Sequence, residues 1–284
     1  MNCKILILIA ILLGCLLPAA GQAADPEAMA KPPPLSFGIV PQQTSSTLLR
    51  AWGPLLRYLQ EQTGQRFIFR TAPDIPTFEA RLAAGEYDFA YMNPYHFTVF
   101  NQGDQGYQAV ARARDKQIRG ILVVRKDSPA TMLEDLKNAT LAFPSPAAFA
   151  ASVLPRANLR AKQVPFEVQY VSSHDSVYKA VAGGFFPAGG GIIRTFKATD
   201  PKVREQLRVL WTTPPYTPHA IAAHPRVDAA VVSSVQQALV LMDVNEKGRI
   251  ALENLKIKGL AAAKNSDWDD VRSLQIGTSL GTAR

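Results

Sequence analysis

Cysteine is scarce in this chain: only Cys3 and Cys15 occur among 284 residues, and both lie close to the N-terminus. Two cysteines can form at most one disulfide, which cannot stabilise a fold of this length, so its stability must come from packing. Hydrophobic residues make up 47% of the chain, which is enough for real cores and excludes wholesale disorder. The length suits one large domain or two smaller lobes.

Recognisable catalytic and metal-binding motifs are also missing. The chain has four histidines, His96, His174, His219 and His224. They show neither an HExxH spacing nor an acid-rich constellation, so we expect no metal ion. There is no Gly-x-Ser-x-Gly elbow, and Ser173 and His174 are neighbours in a predicted extended segment, where side chains point to opposite sides. Gly189-Gly190-Gly191 is no phosphate-binding loop, because no Gly-Lys-Ser/Thr follows it. We therefore expect neither catalysis nor a cofactor.

The N-terminus has the pattern of an export signal. A short basic start ends at Lys4, residues 5–17 are almost unbroken apolar sequence, and Gly21-Gln22-Ala23 offers a small-residue cleavage site. The apolar run is shorter than the roughly 20 residues that span a bilayer. We predict a signal peptide over residues 1–24 and an exported, periplasmic protein. Leu12-Leu13-Gly14-Cys15 resembles a lipobox, so lipidation at Cys15 is an alternative form of processing.

The formal net charge is +8, but the basic residues are scattered along the chain. No RNP-like, zinc-finger or helix-turn-helix pattern is present, and an exported protein does not meet genomic DNA. Nucleic acid is therefore excluded as a partner. The positive balance is at most a mild bias toward an anionic ligand.

Strands and helices alternate along the chain after a proline-rich linker at residues 25–34. The predicted strands are 35–40, 66–70, 87–91, 120–125, 141–143, 166–171 and 209–211. The predicted helices are 44–62, 75–84, one from residue 95, 131–136, 147–157, 176–182, 227–242 and 245–252. This α/β alternation predicts mostly parallel sheets with helices on both faces. We predict two lobes with a ligand cleft between them: lobe 1 from residues 35–123 and 216–284, and lobe 2 from residues 124–215.

Three segments carry a resemblance to a known family. They are residues 37–41, Phe-Gly-Ile-Val-Pro, before a helix; residues 82–90, Leu-Ala-Ala-Gly-Glu-Tyr-Asp-Phe-Ala; and Ser173-His174-Asp175-Ser176 before Ala180-Val-Ala-Gly183. Over residues 35–260 the chain resembles the phosphate/phosphite/phosphonate-binding family of ABC-transporter periplasmic proteins. The resemblance implies the type II periplasmic binding protein fold, an oxyanion held between two lobes, and an inner-membrane permease as partner. We expect a monomer.

The resemblance also implies which residues line the cleft. They are Gln42, Gln43 and Thr44 in the first loop; Tyr91, Asn93 and Tyr95 after the third strand; Ser145 with the amides of Ala147 and Ala148 at a helix N-terminus; Ser173 and His174; and Tyr216, Thr217 and His219. Helix N-termini present free N–H groups and a partial positive charge to an anion.

Two departures from the family pattern leave the ligand open. Residues 146–150, Pro-Ala-Ala-Phe-Ala, stand where phosphonate binders have a hydroxyl cluster. Residues 185–191 contain no carboxylate, although family members for aminoalkyl phosphonates carry acids that pair with the ligand amine. The ligand could therefore be phosphate, a phosphonate, another oxyanion or a small polar organic molecule. The alternative role is a sensory binding protein that reports its ligand to a membrane sensor kinase or cyclase.

Overall fold

The computed structural model describes residues 33–274. The predicted signal peptide, most of the predicted linker and Cys15 lie outside the described residues, so these stay predictions. In the described part of the chain, no helix combines the length and the apolar character that a membrane span requires.

The described residues form eleven strands in two sheets. The strands are β1 (Leu35–Ile39), β2 (Phe67–Arg70), β3 (Phe89–Met92), β4 (Gln108–Ala113), β5 (Gly120–Arg125), β6 (Ala139–Phe143), β7 (Phe166–Tyr170), β8 (Ala188–Ile192), β9 (Leu207–Thr212), β10 (Ala220–Ala223) and β11 (Leu260–Ala262). The first sheet has the order β11-β4-β10-β3-β1-β2, and the second has the order β7-β6-β8-β5-β9.

Both sheets are mixed, so the prediction of mostly parallel sheets was wrong. In the first sheet β1 runs parallel to β2 and β3, but β10 is antiparallel to both of its neighbours, β3 and β4. In the second sheet β7, β6 and β8 are parallel, whereas β5 is antiparallel to β8 and β9. Each antiparallel pair includes a strand that directly precedes or follows one of the two segments that connect the sheets. A strand that follows a connecting segment enters its sheet from the end where the neighbouring strand finishes, so it runs antiparallel to that strand.

Ten α-helices cover the sheets in the described part of the chain. They are α1 (Ser45–Thr63), α2 (Ile75–Ala83), α3 (Pro94–Gln102), α4 (Leu154–Ala161), α5 (His174–Ala182), α6 (Ile193–Ala198), α7 (Pro201–Arg204), α8 (Ala229–Val240), α9 (Glu246–Leu255) and α10 (Asp269–Arg272). A π-helical turn, Phe149–Val153, leads into α4.

Helix α1 shows how the local sequence sets an element beside the cleft. Its N-cap Thr44 accepts a hydrogen bond from the Thr47 amide, and Gly64 ends it in the left-handed conformation with φ +69°. The apolar stripe, which includes Trp52 and Leu55, is buried against the first sheet. The helix therefore begins at the edge of the sheet where β1 ends.

The glycine run forms a strand that the sequence did not predict. Gly189, Gly190 and Gly191 lie in β8, in the middle of the second sheet. A Cβ atom at Gly190 would overlap the backbone oxygen of Ala151, and one at Gly191 would overlap the Tyr178 hydroxyl. These glycines permit close packing within lobe 2, since any side chain there would collide with its neighbours.

The chain passes between the two sheets twice. All ladder partners of β5 belong to the second sheet, and β9 ends at Thr212. The two passing segments meet at a bridge between Ile118 and Tyr216. The predicted lobe boundaries stay predictions, although the one at residue 123 falls within β5.

Candidate functional site

In both sheets, polar side chains lie at the edge where the parallel strands end. Gln42 follows β1, Tyr91 lies near the end of β3, and His219 directly precedes the antiparallel β10. In the second sheet, His174 follows β7 and Arg194 follows β8. Carboxyl ends of parallel strands share an edge, and an antiparallel strand begins there. We call these five residues the Arg194 cluster.

Within this cluster, two successive side-chain hydrogen bonds connect one lobe to the other. Arg194 Nη2 donates to Gln42 Oε1 at 2.7 Å, and Gln42 Nε2 lies 2.8 Å from His219 Nε2. Because a guanidinium can only donate, the oxygen of the Gln42 amide must face Arg194, and its NH₂ group must face His219. His219 Nε2 therefore accepts, and the ring of a neutral His219 carries its hydrogen on Nδ1.

Tyr91 closes one side of the cluster. Its ring stacks on His219 with centroids 5.0 Å apart, and Trp52 packs 4.4 Å away. Burial raises the pKa of the Tyr91 hydroxyl to about 12, against the opposing effect of the Arg194 charge. Tyr91 therefore keeps its hydroxyl hydrogen at neutral pH and can donate it to a ligand.

The two histidines of the cluster are neutral at physiological pH. Burial, with the charge of Arg194, lowers the pKa of His174 to about 4. Burial, with the charges of Arg194, His96 and Lys116, lowers the pKa of His219 to about 3. His174 Nδ1 lies 3.0 Å from the Thr195 hydroxyl, which fixes the orientation of the ring. Arg194 therefore carries the positive charge of the cluster.

Arg194 has no carboxylate partner in the part of the chain that the structure describes. None of the ion pairs among residues 33–274 includes it, and its side chain is exposed. The Arg194 charge also acts on Lys116, whose pKa is lowered by burial and then by Arg194, and whose ammonium group donates to the Lys256 carbonyl. A cation without a counter-ion, beside neutral hydrogen-bond donors, is suited to hold an anion.

A second group of predicted cleft residues meets at the start of the helical segment that contains α4. Ser145 is 8% exposed, and its hydroxyl has no hydrogen-bond partner. Asn93 Nδ2 donates to the Ala147 carbonyl at 3.0 Å, across the two lobes. The Ala148 amide bonds weakly to the Ser145 carbonyl at 3.4 Å. The Ser145 hydroxyl is thus a buried, unsatisfied polar group in the loop after β6, three residues before Ala148, the N-cap of the π-helical turn.

The remaining predicted residues have structural partners or lie apart from both groups. Thr44 caps α1, and Ser173 caps α5 by accepting from the Ser176 amide at 3.0 Å. Thr217 is turned toward the C-terminal helices, because its amide donates to Asp270 and its hydroxyl donates to the Asp267 carbonyl. The others are Gln43, which is exposed, Tyr95, which is buried, and Tyr216, which lies edge-on to Phe149. Their contact with a ligand stays a prediction.

Sequence reasoning missed Arg194, the central residue of the cluster. It stands three positions after the glycine run. Had residues 188–192 been identified as a strand, the rule that binding residues follow strand ends would have indicated Arg194.

Two surface cavities lie elsewhere on lobe 1. One of about 540 Å³ is bordered by Asp243, Arg249 and Lys256, and one of about 170 Å³ lies between α1 and α9. Neither includes a residue of the Arg194 cluster. Among residues 33–274, no group of three or more His, Cys, Asp or Glu side chains is placed to hold a metal ion.

Comparison with known proteins agrees with this architecture. The family model for periplasmic substrate-binding proteins of phosphonate ABC transporters matches residues 37–268. The phosphate-import protein PhnD of Mycolicibacterium smegmatis is 21% identical, with 85% of this chain and 84% of that protein covered.

Solved structures share the two-lobed fold. PhnD1 from Prochlorococcus marinus in complex with methylphosphonate superposes with a TM-score of 0.75 at 17% identity, covering 84% of this chain and 96% of that one. A binding protein component of an ABC phosphonate transporter from Pseudomonas aeruginosa gives 0.72 at 18% identity, covering 88% and 91%. These matches confirm the predicted type II fold and the predicted resemblance. The chain belongs to the family of periplasmic substrate-binding proteins of phosphonate ABC transporters.

Proposed function

We propose that the protein captures a small oxyanion of the phosphonate or phosphate class between its lobes and delivers it, unchanged, to the permease of an ABC importer. The observation that carries the proposal is Arg194, an exposed cation that meets Gln42 of the other lobe and has no carboxylate partner among the described residues. A ligand oxygen would take the place of the Gln42 amide oxygen on the guanidinium.

The donors of the cluster supply a substantial part of the binding free energy. A hydrogen bond that involves a charged group contributes about 1.5–3 kcal/mol, and Arg194, the His219 Nδ1–H and the Tyr91 hydroxyl supply several donors. Micromolar binding corresponds to about 8 kcal/mol after the entropic cost of association. The Ser145 hydroxyl, in the loop after β6, would add a further donor to a ligand that reaches it.

The relatives support this ligand class. The mycobacterial relative is named for phosphate import, and the Prochlorococcus structure contains methylphosphonate. Both ligands are small tetrahedral oxyanions, which match a site built from an arginine and neutral donors.

The absence of a reaction is part of the proposal. Ser173 Oγ is bonded to Ser176, and His174 Nδ1 is bonded to Thr195, so the two residues do not form a nucleophile–base pair. The sensory role remains an alternative that no observation of the cleft favours.

Isothermal titration calorimetry tests the proposal on the purified protein. We expect micromolar binding of methylphosphonate or inorganic phosphate and no binding of the neutral control ribose. Binding of ribose alone, or of none of the three, would contradict the proposal. Phosphorus NMR of the ligand after prolonged incubation should show an unchanged spectrum, and a new resonance would contradict the absence of chemistry.

A further inference from the structure

A row of hydrogen bonds connects the backbone at the end of β8 to the ring of His174. The Ile192 amide donates to the Tyr178 hydroxyl at 3.2 Å, and that hydroxyl lies 2.8 Å from the Thr195 hydroxyl. The Thr195 hydroxyl in turn lies 3.0 Å from His174 Nδ1. A hydroxyl group both donates and accepts, so each of the two can bridge its neighbours. The orientation of the His174 ring therefore depends on the Thr195 hydroxyl.

Close packing holds the far end of this row in place. Tyr178 is fully buried, and a Cβ atom at Gly191 would lie 2.1 Å from its hydroxyl oxygen, so only glycine lets the tyrosine reach the β8 backbone. His174 and Tyr178 stand four residues apart in α5 and share one face of that helix. The Thr195 hydroxyl also lies 3.1 Å from the Ile192 carbonyl oxygen, to which it can donate. Contacts with α5 and with the end of β8 thus restrict the χ1 rotation of Thr195.

We propose that Thr195 is a positioning residue for ligand binding: its hydroxyl holds the His174 ring so that Nε2 faces the bound oxyanion. The inference rests on the proposed function and on the predicted contact between His174 and the ligand. Because Nδ1 is bonded to Thr195, Nε2 is the ring nitrogen left for a ligand oxygen. A ring that is held before the ligand arrives need not be immobilised on binding, which otherwise weakens association. Thr195 directly follows Arg194, so the short helix α6 carries both the cation and the hydroxyl that orients the histidine.

Substitutions at Thr195 test the inference by calorimetry, with whichever of methylphosphonate and inorganic phosphate binds the wild type more tightly. Thr195→Val removes the hydroxyl at nearly constant volume and should bind roughly 3- to 10-fold more weakly, the cost of ordering one freed side chain. Thr195→Ser keeps the hydroxyl and should restore the wild-type affinity. Thr140→Val makes the same change on an exposed side chain of β6 in the second sheet, and it should bind as the wild type does. Equal affinities for Thr195→Val and Thr140→Val would overturn the inference and leave the proposed function intact. A wild-type protein that binds neither ligand would instead contradict the proposed function and, with it, the inference.

A double-mutant cycle separates positioning from a general structural role. If Thr195 acts through His174, Thr195→Val should weaken binding in the wild type and cause no further loss in His174→Ala, where there is no ring to orient. Thr195→Ala removes the same hydroxyl without placing a methyl group there, and it replaces Thr195→Val in the cycle if the valine variant does not fold. An equal loss in both backgrounds would show that Thr195 acts on the fold alone and would overturn the inference. Wild-type affinity in His174→Ala would overturn it as well, because the ring would then not meet the ligand.

Discussion

Replacing Arg194 by glutamine is the sharpest perturbation of the proposed site. The change removes the charge but keeps a side chain that can donate, and the exposed position makes a folding defect unexpected. The wild-type guanidinium bonds to Gln42 across the lobes and has further N–H groups free for a ligand. The variant therefore isolates the charge.

The expected loss follows from the strength of the bonds that change. Because Arg194 is exposed, each charged bond is taken at the low end, about 1.5 kcal/mol, and a neutral replacement retains about 0.5–1 kcal/mol. Two ligand bonds then give a loss of about 1–2 kcal/mol, which corresponds to roughly 5- to 30-fold weaker binding.

Calorimetric titration with methylphosphonate measures this loss directly. Arg66→Gln is the matched control, because this exposed arginine lies at the opposite end of the first sheet, just before β2. It should bind the ligand as the wild type does. Equal affinities for Arg194→Gln and Arg66→Gln would refute the assignment of Arg194 to the ligand.

Three further predictions test the supporting structure. The His219→Gln variant should lose less stability than the wild type between pH 7 and pH 5 in thermal melts, because the folded pKa of about 3 lies below the unfolded value near 6.5. The unfolded chain alone gains a proton in that window, so His219 costs the wild type about 2 kcal/mol, and equal pH profiles would argue against it. Asn93→Ala should cost about 2–4 kcal/mol in denaturant unfolding, since it removes the cap of α3 and leaves the Ala147 carbonyl unpaired; a loss below about 1 kcal/mol would show that the cross-lobe bond does not form. Gly190→Ala should lower the melting temperature, whereas Gly53→Ala inside α1 should raise it slightly, and the same sign for both would contradict the packing of β8.

Elements whose sequence carried a clear periodicity were predicted well. The apolar stripe, the N-cap and the terminal glycine of α1 placed that helix within one residue at each end. The β-branched run of β5 gave a strand with the same bounds as the structure. Local preference and burial agree in these segments, so the pattern alone determines the element.

Strand β8 was not predicted, because its residues do not favour strand formation. Glycine is disfavoured in strands, and only the close approach of the Ala151 backbone and Tyr178 explains its use. That contact depends on two distant segments, so it cannot be derived from the local sequence.

The residues of the candidate site were predicted mainly where the neighbouring elements were predicted. Gln42 and His174 follow predicted strands and Tyr91 ends one, and the structure brings them together with His219 around Arg194. Arg194 itself was missed because it follows the strand that was missed. The hydrogen-bond partners of Thr217 could not be foreseen, because Asp267 and Asp270 lie some fifty residues later in the chain.

A crystal structure of the complex with methylphosphonate tests the central claim most directly. We predict phosphonate oxygens within hydrogen-bonding distance of the Arg194 guanidinium, at about 2.7–2.9 Å, with the Gln42 amide oxygen displaced from it. A bound ligand that leaves the bond between Arg194 and Gln42 intact, and lies away from Arg194, would contradict the account.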